Sequence, residues 1–332
     1  MKFENIKPSY DTNRQLLGKI LPLSTPFTVI VDSSECCNFE CSYCFRSDKN
    51  KENWGYAKQP LLMEWSVFQE IAHQMKKFPQ KVKHVSLSNH GEPLCNPNLP
   101  EMVKYLKQND ICERVSIHTN ASLLTESLID RLVDARIDKV VVSLQGMSAQ
   151  KYSEVCHEKI DFENFIEKLR IFYRKKTNTK LCIKVADIAL DGQEQEFYQT
   201  FSPIADSVYV EKIVPIWKNL HLKNAEMQNK YGEFFLAQQC CPLIFHTIVV
   251  SPIGDVYPCT QLLTPFNLGN IQKTTLLDIW TSEQRKKLLM EQCQDIQPDW
   301  CKDCYILQNS IFSKEDMIDD YRYEILDRLK SL

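Results

Sequence analysis

The chain has 332 residues, 43% hydrophobic and 25% charged, enough for one large globular domain with a smaller companion. Lys and Arg total 40 against 43 Asp and Glu, and the net charge of −3 leaves no electrostatic footprint for nucleic acid or an anionic membrane. The first residues lack the apolar core of a signal peptide and the Arg-rich look of a transit peptide, and no run of about 18 apolar residues follows; a cytoplasmic protein without membrane or nucleic-acid partners is expected.

After an N-terminal extension (residues 1–24), residues 28–33 read as a strand by their β-branched content. The sequence CNFECSYCF follows at once, placing Cys37, Cys41 and Cys44 in the spacing C-x3-C-x2-C. A disulfide uses thiols in twos, and the cytosol keeps thiols reduced, so 14 Cys in a chain of this kind point to metal ligation or chemistry. A helix is predicted over 63–78 by apolar spacing, then a strand (84–88), a helix (99–106), a strand (114–119), a helix (126–135) opened by Thr125, and a strand (139–144). A helix (162–174), a strand (181–186), a helix (193–200) and a strand (207–212) complete the pattern. Six strands alternating with helices predict parallel βαβ units over residues 25–215, with ligands at the carboxyl ends of the strands.

Two further loops leave strands at that end. In NHGEPL, Gly91 permits close backbone approach and Pro93 stiffens the exit; in HTNASLL, Thr119 and Asn120 offer short hydrogen-bonding side chains. Taken singly, the first is an ordinary turn and the second an ordinary helix cap. Taken in order with the Cys triad, and with Ser143 and Gln145 after the fourth strand, they resemble the radical S-adenosylmethionine (SAM) enzymes. The resemblance implies a partial (βα)6 barrel and a [4Fe–4S] cluster on Cys37, Cys41 and Cys44, with one iron left open for SAM. It also implies that Tyr43 lies against the adenine, that Gly91, Glu92 and Pro93 hold the methionine end, and that Thr119, Asn120, Ser143 and Gln145 belong to the same cofactor site. Two residues depart from the family pattern: His90 replaces the first Gly of Gly-Gly-Glu-Pro, and Ala121 the Gly of Thr-Asn-Gly. His at positive φ is costly, so backbone strain is expected at His90 if it keeps a glycine's conformation. Asn89 and His90 could instead face substrate, while His90, His118 and His246 also fit as ordinary hydrogen-bonded polar groups.

Residues 216–238 read as a linker or a flap, and 239–310 as a second domain. There QCCPLIFHTIVVSPIGDVYPC predicts a hairpin that brings Cys241 near Cys259, and DWCKDC sets Cys301 and Cys304 at C-x2-C spacing. Spacing alone fits a structural zinc site as well as a cluster. The set, with Gly254 and an expected helix over 276–290, resembles the twitch form of the SPASM domain, and the nearest likeness is the twitch-type aminocyclitol dehydrogenases. That implies one auxiliary [4Fe–4S] cluster on Cys241, Cys259, Cys301 and Cys304. Cys36 and Cys240 each adjoin an expected ligand, which leaves a one-residue slip open, and the role of Cys293 is open too. Residues 311–332 read as a docking helix.

The resemblance implies reductive cleavage of SAM to a 5′-deoxyadenosyl radical, with electrons from a donor such as flavodoxin or ferredoxin. The expected reaction is oxidation or epimerisation of a small sugar or cyclitol-type substrate; the alternatives are maturation of a ribosomally made peptide and a zinc-dependent binding protein. Cys95 is a candidate hydrogen donor, and Lys184, with Asp187, Glu211 and Lys212, is a candidate for the SAM carboxylate or the substrate.

Overall fold

The computed structural model describes residues 14–48, 61–213, 230, 238–260, 266–302, 304, 307 and 312–332. Apart from Lys230 and Gln238, the predicted linker or flap lies outside the described residues.

Six strands, β1 (Thr28–Val31), β2 (Val82–Ser86), β3 (Cys112–Thr119), β4 (Lys139–Leu144), β5 (Lys180–Ala186) and β6 (Ser207–Glu211), lie side by side in chain order, every pair parallel. The sheet is open, as a partial barrel requires. Between the strands run α2 (Trp65–Met75), α3 (Leu99–Gln108), α4 (Glu126–Asp134), α5 (Ala149–Cys156), α6 (Phe162–Lys175) and α7 (Glu194–Phe201), after a short α1 (Leu17–Ile20). Thr125 caps α4 as expected, its hydroxyl accepting from Leu128 N, and Ser148 and Asp161 cap α5 and α6 in the same way. The sequence reading missed α5, a short helix whose buried residues are Tyr152, Val155 and Cys156.

Period-two alternation divides the sheet. One face, with Val29, Val31, Val85, Val115, Ile117, Val142, Ile183 and Val185, joins the helices in the main apolar core. The other face carries polar residues at the matching positions: Ser116 on β3, Ser143 on β4, Lys184 on β5 and Glu211 on β6.

The second domain is not a separate layer. After α8 (Leu243–His246), β7 (Thr247–Val250) pairs in parallel with β1, and β8 (Asp255–Tyr257) and β9 (Gly269–Asn270) extend the sheet antiparallel, giving nine strands in the order β6-β5-β4-β3-β2-β1-β7-β8-β9. The hairpin is present, but the sheet runs through the domain boundary. Gln74 of α2, almost fully buried, stitches across it: its Nε2 donates to Ile271 O (2.9 Å), and its Oε1 accepts from Leu276 N (2.8 Å). The helix expected over 276–290 is two, α9 (Leu276–Trp280) and α10 (Glu283–Cys293), because Ser282 adopts an extended conformation and caps the second with its hydroxyl. The last helix, α11 (Arg322–Lys330), docks as expected: Ile325, Leu326 and Leu329 form a second core with Leu17, Leu21, Leu288 and Leu289. No described helix is long and apolar enough to cross a membrane.

Candidate functional site

The three Cys of the first motif sit in the loop after β1, and its neighbours fix its path. Glu40 N and Ser42 N donate to the Cys156 and Val155 carbonyls at the end of α5 (3.3 and 2.8 Å), and Cys44 N donates to Cys41 O (2.8 Å). Phe39 and Phe45 are buried packing residues, the first edge-on to Tyr152 and the second edge-on to His90. The thiols of Cys37, Cys41 and Cys44 are all free of disulfides and electrostatically coupled. Burial pushes each thiol up, Cys44 to about 11; neighbouring thiols add to it at Cys41 and Cys44 and the Glu92 carboxylate at Cys37, while the Arg46 guanidinium pulls Cys37 and Cys44 the other way. Three soft donors in a partly buried loop that resists becoming anionic suit iron-sulfur ligation, in which the metal brings the missing positive charge.

The loop after β2 closes against this one. A Cβ on Gly91 would stand 2.0 Å from Ser34 O and 2.6 Å from Cys36 O, so only glycine lets the two backbones meet, and Glu92 N donates to Cys36 O at 2.7 Å. The Glu92 side chain is buried and ties this loop to the end of β3: Oε1 accepts from Leu94 N (3.0 Å) and Thr119 Oγ1 (2.5 Å), and Oε2 from Asn120 N (2.7 Å). Burial raises its carboxyl to about 7, with the three donors opposing. Asn120 in turn bonds Asn38 Oδ1 (3.0 Å) and reaches the Cys37 thiol. Pro93, Thr119 and Asn120 are thus buried in the joint between loops.

The two departures from the family pattern behave oppositely. His90 is not among the described residues with positive φ, whereas Ala121 has φ 60°, so the strain falls on the alanine. His90 uses its ring instead. Nδ1 is 2.8 Å from Asp32 Oδ2 and 3.0 Å from the Asn89 amide, and Nε2 is 2.9 Å from the carbonyl of Thr260, the residue after Cys259. Its own carbonyl accepts from Arg46 Nε (3.3 Å). His90 therefore joins the first Cys loop to the loop of the second.

Tyr43 donates to Gln145 Oε1, joining the loops after β1 and β4, and Gln145 Nε2 bonds Ser143 O at 3.2 Å. Burial, then the nearby Cys41, holds the Tyr43 phenol well above its usual range. On the polar face, Lys184 Nζ bonds Glu211 Oε2, and Lys230 Nζ lies 3.0 Å from Glu211 Oε1. Burial alone would raise the Glu211 carboxyl, but the two ammonium groups outweigh it and hold it at about 2. Asp187 accepts from Ile213 N (3.0 Å) and Lys212 N donates to Lys230 O (2.7 Å), so these two pin the loop after β6. Cys95 ends a short 3-10 turn, and its charged neighbours are Glu92, Cys37 and Cys36; burial pushes its thiol up to about 12.

The second Cys set converges. Cys241, Cys259, Cys301 and Cys304 line one cavity, together with Leu243, Ile244, Gln292, Trp300 and Leu307. One zinc ion would need its sulfurs about 2.3 Å from a common centre. Among the described residues no three His, Cys, Asp or Glu side chains converge closely enough to hold a single ion. Cys240 and Cys293 hydrogen-bond each other in the second core and do not line that cavity. Cys112 and Cys156 are buried in the main apolar core, whereas Cys182 is buried on the other face of the sheet, near Lys139. The sequence reading missed Gln292 and the ring contacts of His90, since neither residue type announces its partner without the fold.

Comparison with known proteins agrees with this arrangement. Residues 31–192 match the radical SAM superfamily, and residues 240–305 match the SPASM iron-sulfur cluster-binding domain. The chain is 23% identical to the tungsten-containing aldehyde ferredoxin oxidoreductase cofactor-modifying protein of Pyrococcus furiosus, over 85% of this chain and 88% of that one. Among solved structures, Streptococcus suis SuiB bound to S-adenosylmethionine superposes with a TM-score of 0.63 at 16% identity, over 88% of this chain and 73% of SuiB. BtrN in an open conformation superposes with a TM-score of 0.50 at 18% identity, over 83% and 91%. The parallel sheet with three cysteines at the carboxyl end of its first strand thus lies in a radical SAM domain, residues 31–192, and the cysteine-lined cavity in a SPASM iron-sulfur cluster-binding domain, residues 240–305.

Proposed function

We propose that this chain oxidises or epimerises a small polar substrate of the sugar or cyclitol type, using SAM and a [4Fe–4S] cluster on Cys37, Cys41 and Cys44. The observation that carries the substrate class is the polar face of the sheet, where Ser143 and Lys184 stand in register and Glu211, on the same face of β6, pairs with Lys184 and Lys230. A set of hydrogen-bonding groups of this kind suits a hydroxylated molecule better than an apolar one.

When bound, the cluster and SAM supply a 5′-deoxyadenosyl radical that removes a hydrogen atom from a C–H bond. The chain's own residues aim and enclose. Gly91 lets the loop after β2 approach the Cys loop, and its backbone is placed to hold the methionine end. Tyr43, held by Gln145, presents its ring for the adenine, with Ser143 beside it for the ribose. Lys184 and Lys230, both paired with Glu211, are the cationic groups we assign to the SAM carboxylate or an anionic substrate group. Cys241, Cys259, Cys301 and Cys304 would hold one auxiliary [4Fe–4S] cluster, which would supply an acceptor for the electron that a substrate radical gives up in an oxidation. The electron that cleaves SAM would come from an external donor such as flavodoxin or ferredoxin.

The test is anaerobic turnover with dithionite and a panel of sugars, cyclitols and nucleotide sugars. A member of the panel that accelerates formation of 5′-deoxyadenosine supports the reading. No acceleration by any of them, with a mass change in a peptide co-expressed from a neighbouring gene, would replace it with peptide maturation.

A further inference from the structure

Gln292 lies on α10 and is fully buried, which is unusual for an amide with two donors and an acceptor to satisfy. Its Oε1 accepts from the backbone N–H of Cys241 at 3.3 Å. That bond settles which end of the amide is which, because a nitrogen there would set donor against donor. The other end, Nε2, is buried and has no hydrogen-bond partner among the described residues. A buried N–H left unpaired is costly, and native structures keep few of them without a reason.

The surroundings supply the reason. Gln292 lines the same cavity as Cys241, Cys259, Cys301 and Cys304, and the other lining residues, Leu243, Ile244, Trp300 and Leu307, offer no strong side-chain acceptor. What the cavity does offer is sulfur. We infer that the Gln292 side-chain amide donates a hydrogen bond to a sulfur of the auxiliary cluster and sets that cluster's reduction potential. This rests on the four cysteines holding a cluster, as proposed above. Electron density on the cluster sulfurs rises on reduction, so an N–H donor stabilises the reduced form more than the oxidised one and raises the potential. Because Oε1 is anchored on the backbone of a ligand cysteine, the amide cannot swing away without releasing Cys241 N.

The experiment uses the full holoenzyme, reduced in steps and followed by EPR, with the auxiliary signal identified as the one that added SAM does not perturb. Gln292→Met removes the donor at similar volume; Gln292→Glu keeps an acceptor for Cys241 N and replaces the donor. Both variants are expected to keep the iron content of the wild type and to lower the reduction equilibrium constant of the auxiliary cluster about tenfold, or 59 mV for one electron. Wild-type protein labelled with 15N in the glutamine side-chain amide should show nitrogen hyperfine coupling in that signal, and both variants should lose it. The coupling needs no variant to fold, and a merely structural glutamine would not produce it. An auxiliary signal without coupling, or with unchanged potential in both variants, overturns the assignment. A wild-type iron content of about four overturns it too, and the iron count then shows that the ligand set failed rather than the amide.

Discussion

The carboxyl group of Glu92 accepts the backbone N–H of Asn120 at 2.7 Å, so the loop after β2 and the loop after β3 are held by one buried side chain. Because Thr119 Oγ1 and Leu94 N also donate to it, Glu92→Gln turns an NH2 group toward at least one donor. The expected cost is about 1–3 kcal/mol, the range for one unsatisfied buried group, read from urea unfolding of the apoprotein. An unchanged midpoint would mean that the loops are held by something else.

At Gly91 the loop after β2 packs against the Cys loop. A methyl group there would overlap Ser34 O and Cys36 O, both backbone atoms with nowhere to go. Gly91→Ala is expected to force the loops apart and to reduce SAM binding at least tenfold, measured by equilibrium dialysis on the reconstituted protein. Binding within twofold of wild type would contradict the loop contact.

Glu211 gives an acid-side prediction. Its folded value of about 2 lies below the ordinary carboxyl value of 4.5, so its contribution is complete above about pH 4.5 and is lost as the pH falls toward 2. The shift corresponds to about 3 kcal/mol for a side chain only 15% exposed. Stability measured by urea unfolding should therefore fall more steeply between pH 4.5 and 2.5 in the wild type than in Glu211→Gln. Parallel curves would show that Lys184 and Lys230 do not hold the carboxylate.

His90 predicts a local loosening. Replacing it with the family's glycine removes its ring contacts, those to Asp32 and to Thr260 O among them. Amide hydrogen exchange near Cys259 and Thr260 should speed up at least tenfold in His90→Gly, while α4 exchanges at its wild-type rate. Equal protection in both proteins would deny the histidine this joining role.

The sequence made the parallel sheet legible because β-branched runs and helical spacing alternate six times, and it made both cysteine sets legible because C-x3-C-x2-C and C-x2-C are local. Long-range pairing was not legible. Nothing in TVIV or TIVV says that β1 and β7 pair, so the sheet that crosses the domain boundary appeared only in the fold. The helix expected over 276–290 failed for a local reason, since Ser282 serves as a cap and its apolar neighbours hide the break. His90 was expected to carry backbone strain, which Ala121 carries instead, because φ depends on the turn and not on the motif. Glu92 belongs by its motif to a backbone segment expected at the methionine end, and the motif gave no sign that its side chain also ties the next loop.

The central claim is that two cysteine sets hold two clusters of different kind, one open to SAM and one closed by protein. Anaerobic reconstitution followed by iron analysis tests it most directly, on the wild type and on the Cys37→Ala/Cys41→Ala/Cys44→Ala variant. About eight irons in the first and about four in the second, with SAM cleavage only in the first, is the predicted result. About four irons in the wild type and none in the variant, or zinc in place of iron at the second set, would contradict it.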